Sequence, residues 1–164
     1  MSEHILRIAP AGTPRATILI VPPLFEEANR TRRTLVLAMR ALAAGGFAAW
    51  LPDLPGQNES LVPLAHVDLD RWQEALAKVA AAVVGPVIMA SVRGGALIDH
   101  QAQAAAWWRL APVGGASLLR TLMRAQALPP KNTRRAVLPG NVRREPAAPK
   151  HGPEAARSQG KMKH

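Results

Sequence analysis

The sequence predicts an α/β protein, a mostly parallel sheet with helices on both faces, followed by a basic tail. Three observations carry that expectation. Short apolar runs rich in β-branched residues alternate with longer segments whose apolar residues recur every three or four positions. Loops bearing Pro, Gly or Asn separate them. The alternation stops at Leu128, after which prolines and cations interleave with no apolar period. Regular strand-helix alternation implies right-handed crossovers, and such sheets gather their ligands at the carboxyl ends of the strands.

Ile5 to Ile8 is a short strand candidate leading into the turn-rich stretch from Ala9 to Pro14. Ala16 to Val21 (ATILIV) is apolar and β-branched, is closed by Pro22-Pro23, and reads as a strand buried on both faces. A helix is expected from about Thr31 to Ala44, because Leu35, Met39 and Leu42 share one stripe and Gly45-Gly46 supplies the stop. Phe47 to Leu51 reads as a second buried strand, and Pro52 to Pro63 as a loop.

Asp68 suits an N-cap, since its carboxylate can accept from the unpaired amides of a first turn. Behind it, Leu69, Trp72, Leu76, Val79 and Val83 form one apolar stripe, with Glu74 and Lys78 as an i,i+4 pair opposite. Pro86 to Ala90 is the third apolar strand. It is followed by the turn Ser91 to Gly95 and an expected helix to about Ala106. Trp107 to Val113 and Ser117 to Ala127 complete the alternation as a last strand and helix, with Trp107-Trp108 expected in core packing.

With 164 residues, 48% of them hydrophobic, the chain has about one domain's length and enough apolar content for a core. We place that domain at 1–128 and a disordered basic tail at 129–164. The tail carries nine of the 21 Lys and Arg residues and two of the 11 acids, so most of the net charge of +10 belongs to it. It has no aromatic residue to stack on bases, which limits nucleic-acid binding there to weak, nonspecific phosphate contacts.

Zero cysteines exclude a disulfide framework, a thiolate metal site and a cysteine nucleophile. The five histidines are scattered without partners at metal spacing, and neither a phosphate-binding glycine loop ending in Lys-Ser/Thr nor a GxGxxG follows any strand. No cofactor or metal is therefore expected. Met1 to His4 lacks the basic and apolar regions of a secretory signal, and no apolar run reaches the roughly 18 residues of a membrane span, so the expected location is cytoplasmic.

Ser91-Val92-Arg93-Gly94-Gly95 sits where a strand turns into a helix, the setting of a nucleophile elbow, in which small residues must flank the apex at minus two and plus two. Centred on Ser91 the flanks would be Met89 and Arg93, both bulky. Centred on Arg93 they are Ser91 and Gly95, which satisfies the steric rule. An arginine apex should carry a strained or positive φ. It cannot serve as an acyl-transfer nucleophile, because its guanidinium stays protonated, but it could hold an anion. An ordinary glycine-rich turn, and Ser91 as the nucleophile of a distorted elbow, remain as other readings.

The segment Pro22 to Arg33 (PPLFEEANRTRR), the helix end Arg40 to Phe47, and Leu51 to Ser60 (LPDLPGQNES) together resemble the N-terminal half of an α/β hydrolase. More narrowly they resemble the exosortase A system-associated hydrolases of bacterial exopolysaccharide loci, in which a Pro-Pro-Phe-x-Glu-Glu-x-Asn type segment and a Gly-x-Arg-x-Gly type elbow occur. The resemblance covers about residues 5–127. It implies a partial α/β-hydrolase fold and an acyl ester or thioester as substrate class. It also implies an oxyanion site near the amides of Leu24 and Phe25 and the elbow residue Gly94. A charged loop leading into a helix is the plainer reading of Glu26 and Glu27.

The chain departs from that family's pattern downstream, where acid and histidine should follow the nucleophile. After Ser91 the acids are Asp99, Glu145 and Glu154, and the histidines His100, His151 and His164. Asp99 and His100 read as solvated helix residues, and Glu145 and His151 stand in the tail. The expectation is thus an incomplete domain, weak or inactive as a serine hydrolase, with a small acyl ester or an anionic ligand as its partner. Ser91 and Arg93 are the elbow candidates. An uncovered sheet edge should favour self-association.

Overall fold

The computed structural model describes residues 4–127, apart from the side chains of 125–127. The expectations for the tail at 129–164, nucleic-acid contacts included, lie outside the described residues. Five strands, β1 (Ile5–Ile8), β2 (Thr17–Val21), β3 (Ala48–Pro52), β4 (Val87–Val92) and β5 (Ala106–Leu110), form one sheet in the order β1-β3-β2-β4-β5. β1 runs antiparallel to β3, and the other pairs are parallel. The helices are α1 (Glu26–Ala44), α2 (Leu69–Ala81) and α3 (Gly115–Ala127), with 3-10 turns at Leu64–His66 and Arg93–Leu97. The expected mostly parallel α/β sheet is what the chain forms.

The period of two along each strand separates two cores. From β2, Leu19 and Val21 join Met89 of β4 and Trp72, Leu76 and Ala80 of α2 in one cluster. Ile18 and Ile20 point the other way and meet Leu35 and Met39 of α1, together with Ala49 and Leu51 of β3. All five β2 residues are buried, which is why ATILIV shows no polar alternation. Each fully buried Leu, Ile or Met side chain contributes about 1.5–3 kcal/mol relative to exposure. Asp68 caps α2 as its sequence position implies, with Oδ1 accepting the Arg71 amide at 2.8 Å. The Glu74–Lys78 pair, 3.8 Å apart and exposed, adds little.

Three expectations are corrected. α1 begins at Glu26, five residues before the expected Thr31. Two acids in its first turn suit the helix dipole, Arg30 reaches back to Glu26 at 2.7 Å, and the Thr31 hydroxyl donates to the Glu27 carbonyl at 2.9 Å. The expected helix from the elbow to Ala106 is only the 3-10 turn, and irregular backbone then leads to β5. Ile98, Asp99 and Ala102 are buried there, so side-chain contacts across the sheet end outrank helical periodicity.

The third correction concerns Trp107 and Trp108, expected in the core but 47% and 56% exposed. β5 is the outer strand, with all five residues exposed, and no described strand pairs with its outer edge. No helix among the described residues is long and apolar enough to cross a membrane.

Candidate functional site

β4 ends at Val92 in extended backbone, and the chain reverses at Arg93, whose φ of +51° lies in the left-handed region. The reason is close approach. A Cβ on Gly95 would lie 2.6 Å from the Pro22 carbonyl oxygen and 2.8 Å from that of Val21, so the turn packs directly on the end of β2. On the other flank Ser91 is fully buried. The apex is therefore Arg93, with small residues two positions to either side, as the steric rule requires.

Left-handed backbone costs a non-glycine residue roughly 1–2 kcal/mol. Arg93→Gly relieves that strain and gives up an ion pair whose members are both more than a third exposed. The expected result in chemical denaturation is unchanged stability or a gain of up to about 1 kcal/mol. A loss larger than that would mean the arginine itself holds the turn together.

Facing the apex is the loop between β2 and α1. Phe25 there has φ 63° and ψ −142°, a second strained residue at the same end of the sheet, and its ring meets Trp72 edge-on at 5.4 Å. The Trp72 indole donates to the Pro55 carbonyl at 2.8 Å, which ties the loop after β3 to the same corner. Arg32 of α1 forks onto buried Asp53 at 2.6 and 3.5 Å and fixes the helix against that loop.

Between these loops and α3 lies a cavity of ≈ 330 Å³. Arg93, Gly94, Leu24, Phe25 and Glu27 line it, with Val113, Leu118 and Leu122 on the far wall. Arg93 Nε stands 2.5 Å from Glu27 Oε1. Among the described residues the amides of Leu24 and Phe25 donate to no backbone carbonyl. The structure thus brings Arg93, Leu24, Phe25 and Gly94 to one cavity. No histidine is among its described lining residues.

Ser91 is elsewhere. It lies on the α2 side of the sheet with Met89, and its hydroxyl donates to Asp99 Oδ2 at 2.6 Å. Arg109 of β5, directly opposite Ser91 in register, grips the same carboxylate through Nε at 2.9 Å and a terminal nitrogen at 2.7 Å. Asp99, read from sequence as a solvated residue, is fully buried and receives three donors. Its hydrogen bonds, and then its charge, raise the Arg109 pKa. A raised cation pKa gives stability present below the unfolded value and lost only as pH rises through the folded one, here in strong alkali.

A buried acid between a strand end and the next strand leaves one sequence signal, the Leu97-Ile98 run preceding it, which reads equally as a helix face. His100 is exposed, as expected. Among the described residues no cluster of three or more His, Asp or Glu could hold a metal ion.

No family model and no curated protein matches this chain. Solved structures do. A protein from Agrobacterium vitis S4, described as a "Putative hydrolase", superposes with a TM-score of 0.53 at 21% identity, covering 66% of this chain and 46% of its own. The mouse alpha/beta hydrolase domain-containing protein 10 gives a TM-score of 0.51 at 21% identity, covering 76% and 49%. The fold is part of an α/β-hydrolase fold. The chain spans about half the length of the hydrolase structures it matches.

Proposed function

We propose that this is an α/β-hydrolase-family protein related to the exosortase A system-associated hydrolases, and that its elbow binds an anionic ligand instead of performing serine-type acyl transfer. Arg93 at the apex, with φ of +51° and its side chain on the cavity, is the observation that carries this reading. A guanidinium cannot supply the lone pair that attacks an acyl carbon, because it stays protonated. Ser91 is a poor substitute, being fully buried and committed to Asp99. The Pro22 to Arg33 segment and the Arg93 elbow support the narrower kinship and, with it, a role beside exopolysaccharide or protein-sorting machinery that handles acyl esters or thioesters.

Incubation of the purified chain with a fluorophosphonate probe tests the noncatalytic part. No serine should label. Labelling at Ser91 that disappears in Ser91→Ala would overturn the reading and return the chain to the serine hydrolases.

A further inference from the structure

We infer that the cavity at Arg93 is a site for a small monocarboxylate with an alkyl body, and that Glu27 competes with the ligand for the arginine. The inference rests on the binding reading of the elbow and names its ligand class. Five features of the site point to that chemistry.

First, the volume of ≈ 330 Å³ is at the small end of the range that holds small-molecule ligands, about 300–1,000 Å³. Second, much of the wall is apolar, with Leu24, Phe25, Val113, Leu118 and Leu122, which suits a hydrocarbon body. Third, the guanidinium is incompletely used. Its Nε faces Glu27, and its two terminal nitrogens donate no hydrogen bond to a described residue, although that edge carries the parallel donors a carboxylate matches bidentately.

Fourth, the charges limit the ligand. The lining holds Glu26, Glu27, Arg30 and Arg93, two acids and two cations with a net charge of zero, so a dianion such as phosphate would bring twice the uncompensated charge of a monocarboxylate. Arg30 and Glu26 are already paired with each other at 2.7 Å on the exposed rim. One carboxylate sharing Arg93 with Glu27 is the smaller load on this balance. Fifth, Glu27 is itself a carboxylate on that arginine, held there by the first turn of α1. It shows the geometry the site favours and sets the free energy a ligand must exceed.

The test is calorimetry on the whole chain with octanoate as probe, against octanol, acetate and inorganic phosphate. Octanoate should bind, while octanol and acetate, each lacking one half of the recognition, and phosphate should bind at least tenfold more weakly. Arg93→Ala should weaken octanoate at least tenfold, and Arg93→Lys should fall between, because it keeps the charge and loses the fork. Glu27→Gln should tighten octanoate, which a merely structural glutamate would not do. A thermal melt checks that each variant is folded.

Equal binding of octanol and octanoate, or octanoate binding indifferent to Arg93, would overturn the inference, as would tighter binding of phosphate. So would no octanoate binding at all. None of these outcomes touches fluorophosphonate labelling, so failure of the ligand class and failure of the noncatalytic reading are read separately.

Discussion

Arg109→Ala should destabilise the folded domain by about 3–5 kcal/mol, and Asp99→Ala by less, about 1–3 kcal/mol, although the two residues form one ion pair. The asymmetry comes from what each substitution leaves behind. Without Arg109, the Asp99 carboxylate remains fully buried with the Ser91 hydroxyl as its one side-chain donor among the described residues. Without Asp99, the Arg109 side chain, 46% exposed, turns its guanidinium to water, and the cost is mainly the unpaired Ser91 hydroxyl and the lost anchor of the loop leading to β5.

Ser91→Ala should cost only about 1 kcal/mol, because Asp99 keeps both bonds from Arg109. At about 4 °C per kcal/mol for a domain of this size, thermal melts resolve all three. An Asp99→Ala loss equal to or above that of Arg109→Ala would show that the buried carboxylate is not the liability described.

Gly95→Ala is expected to cost about 3 kcal/mol, at the upper end for overpacking. The added methyl would lie within 2.8 Å of two backbone carbonyl oxygens, Pro22 and Val21, and neither can step aside without shifting β2. Gly94→Ala is its control. There the methyl meets the Leu24 side chain at 3.4 Å, an ordinary contact, so the change should stay within about 1 kcal/mol. Parallel denaturant titrations distinguish them, and similar losses at the two positions would remove steric closeness as the reason for the elbow's shape.

Much of this architecture is legible in the sequence because it rests on local rules. Apolar β-branched runs mark β2 and β4, a stripe at three and four marks α2, and Asp68 announces its start. The tight turn at Arg93 was legible too, since its sterics forbid Met89 and Arg93 as flanks and allow Ser91 and Gly95. What could not be read depends on partners distant in the chain. Asp99 is buried because Ser91 and Arg109, eight before it and ten after, are brought opposite each other by sheet register. The exposure of Trp107 and Trp108 is likewise a matter of place, since a Trp-rich strand reads as core whether or not anything flanks it. Glu27 reaching Arg93 joins residues 66 positions apart, with no periodicity to reveal it.

The outer side of β5, which no described strand covers, bears on assembly geometry. The sheet's two borders are unlike. β1 has four residues, and its Arg7 folds over the Trp50 ring at 4.0 Å, placing a cation at that border. β5 instead offers Trp107, Trp108 and Leu110, each about half exposed. Pairing of β5 with β5 of a second copy would be isologous and would use the β5 border of both chains at once, leaving none for a third. Pairing of β5 with β1 would be heterologous and leave a fresh border at each addition, the arithmetic of a filament. Arg7 weighs against the second route, because it is already held over Trp50 and a charged residue on an edge strand opposes the addition of another strand there. If two copies join through their sheets, the difference between the two borders favours pairing of β5 with β5.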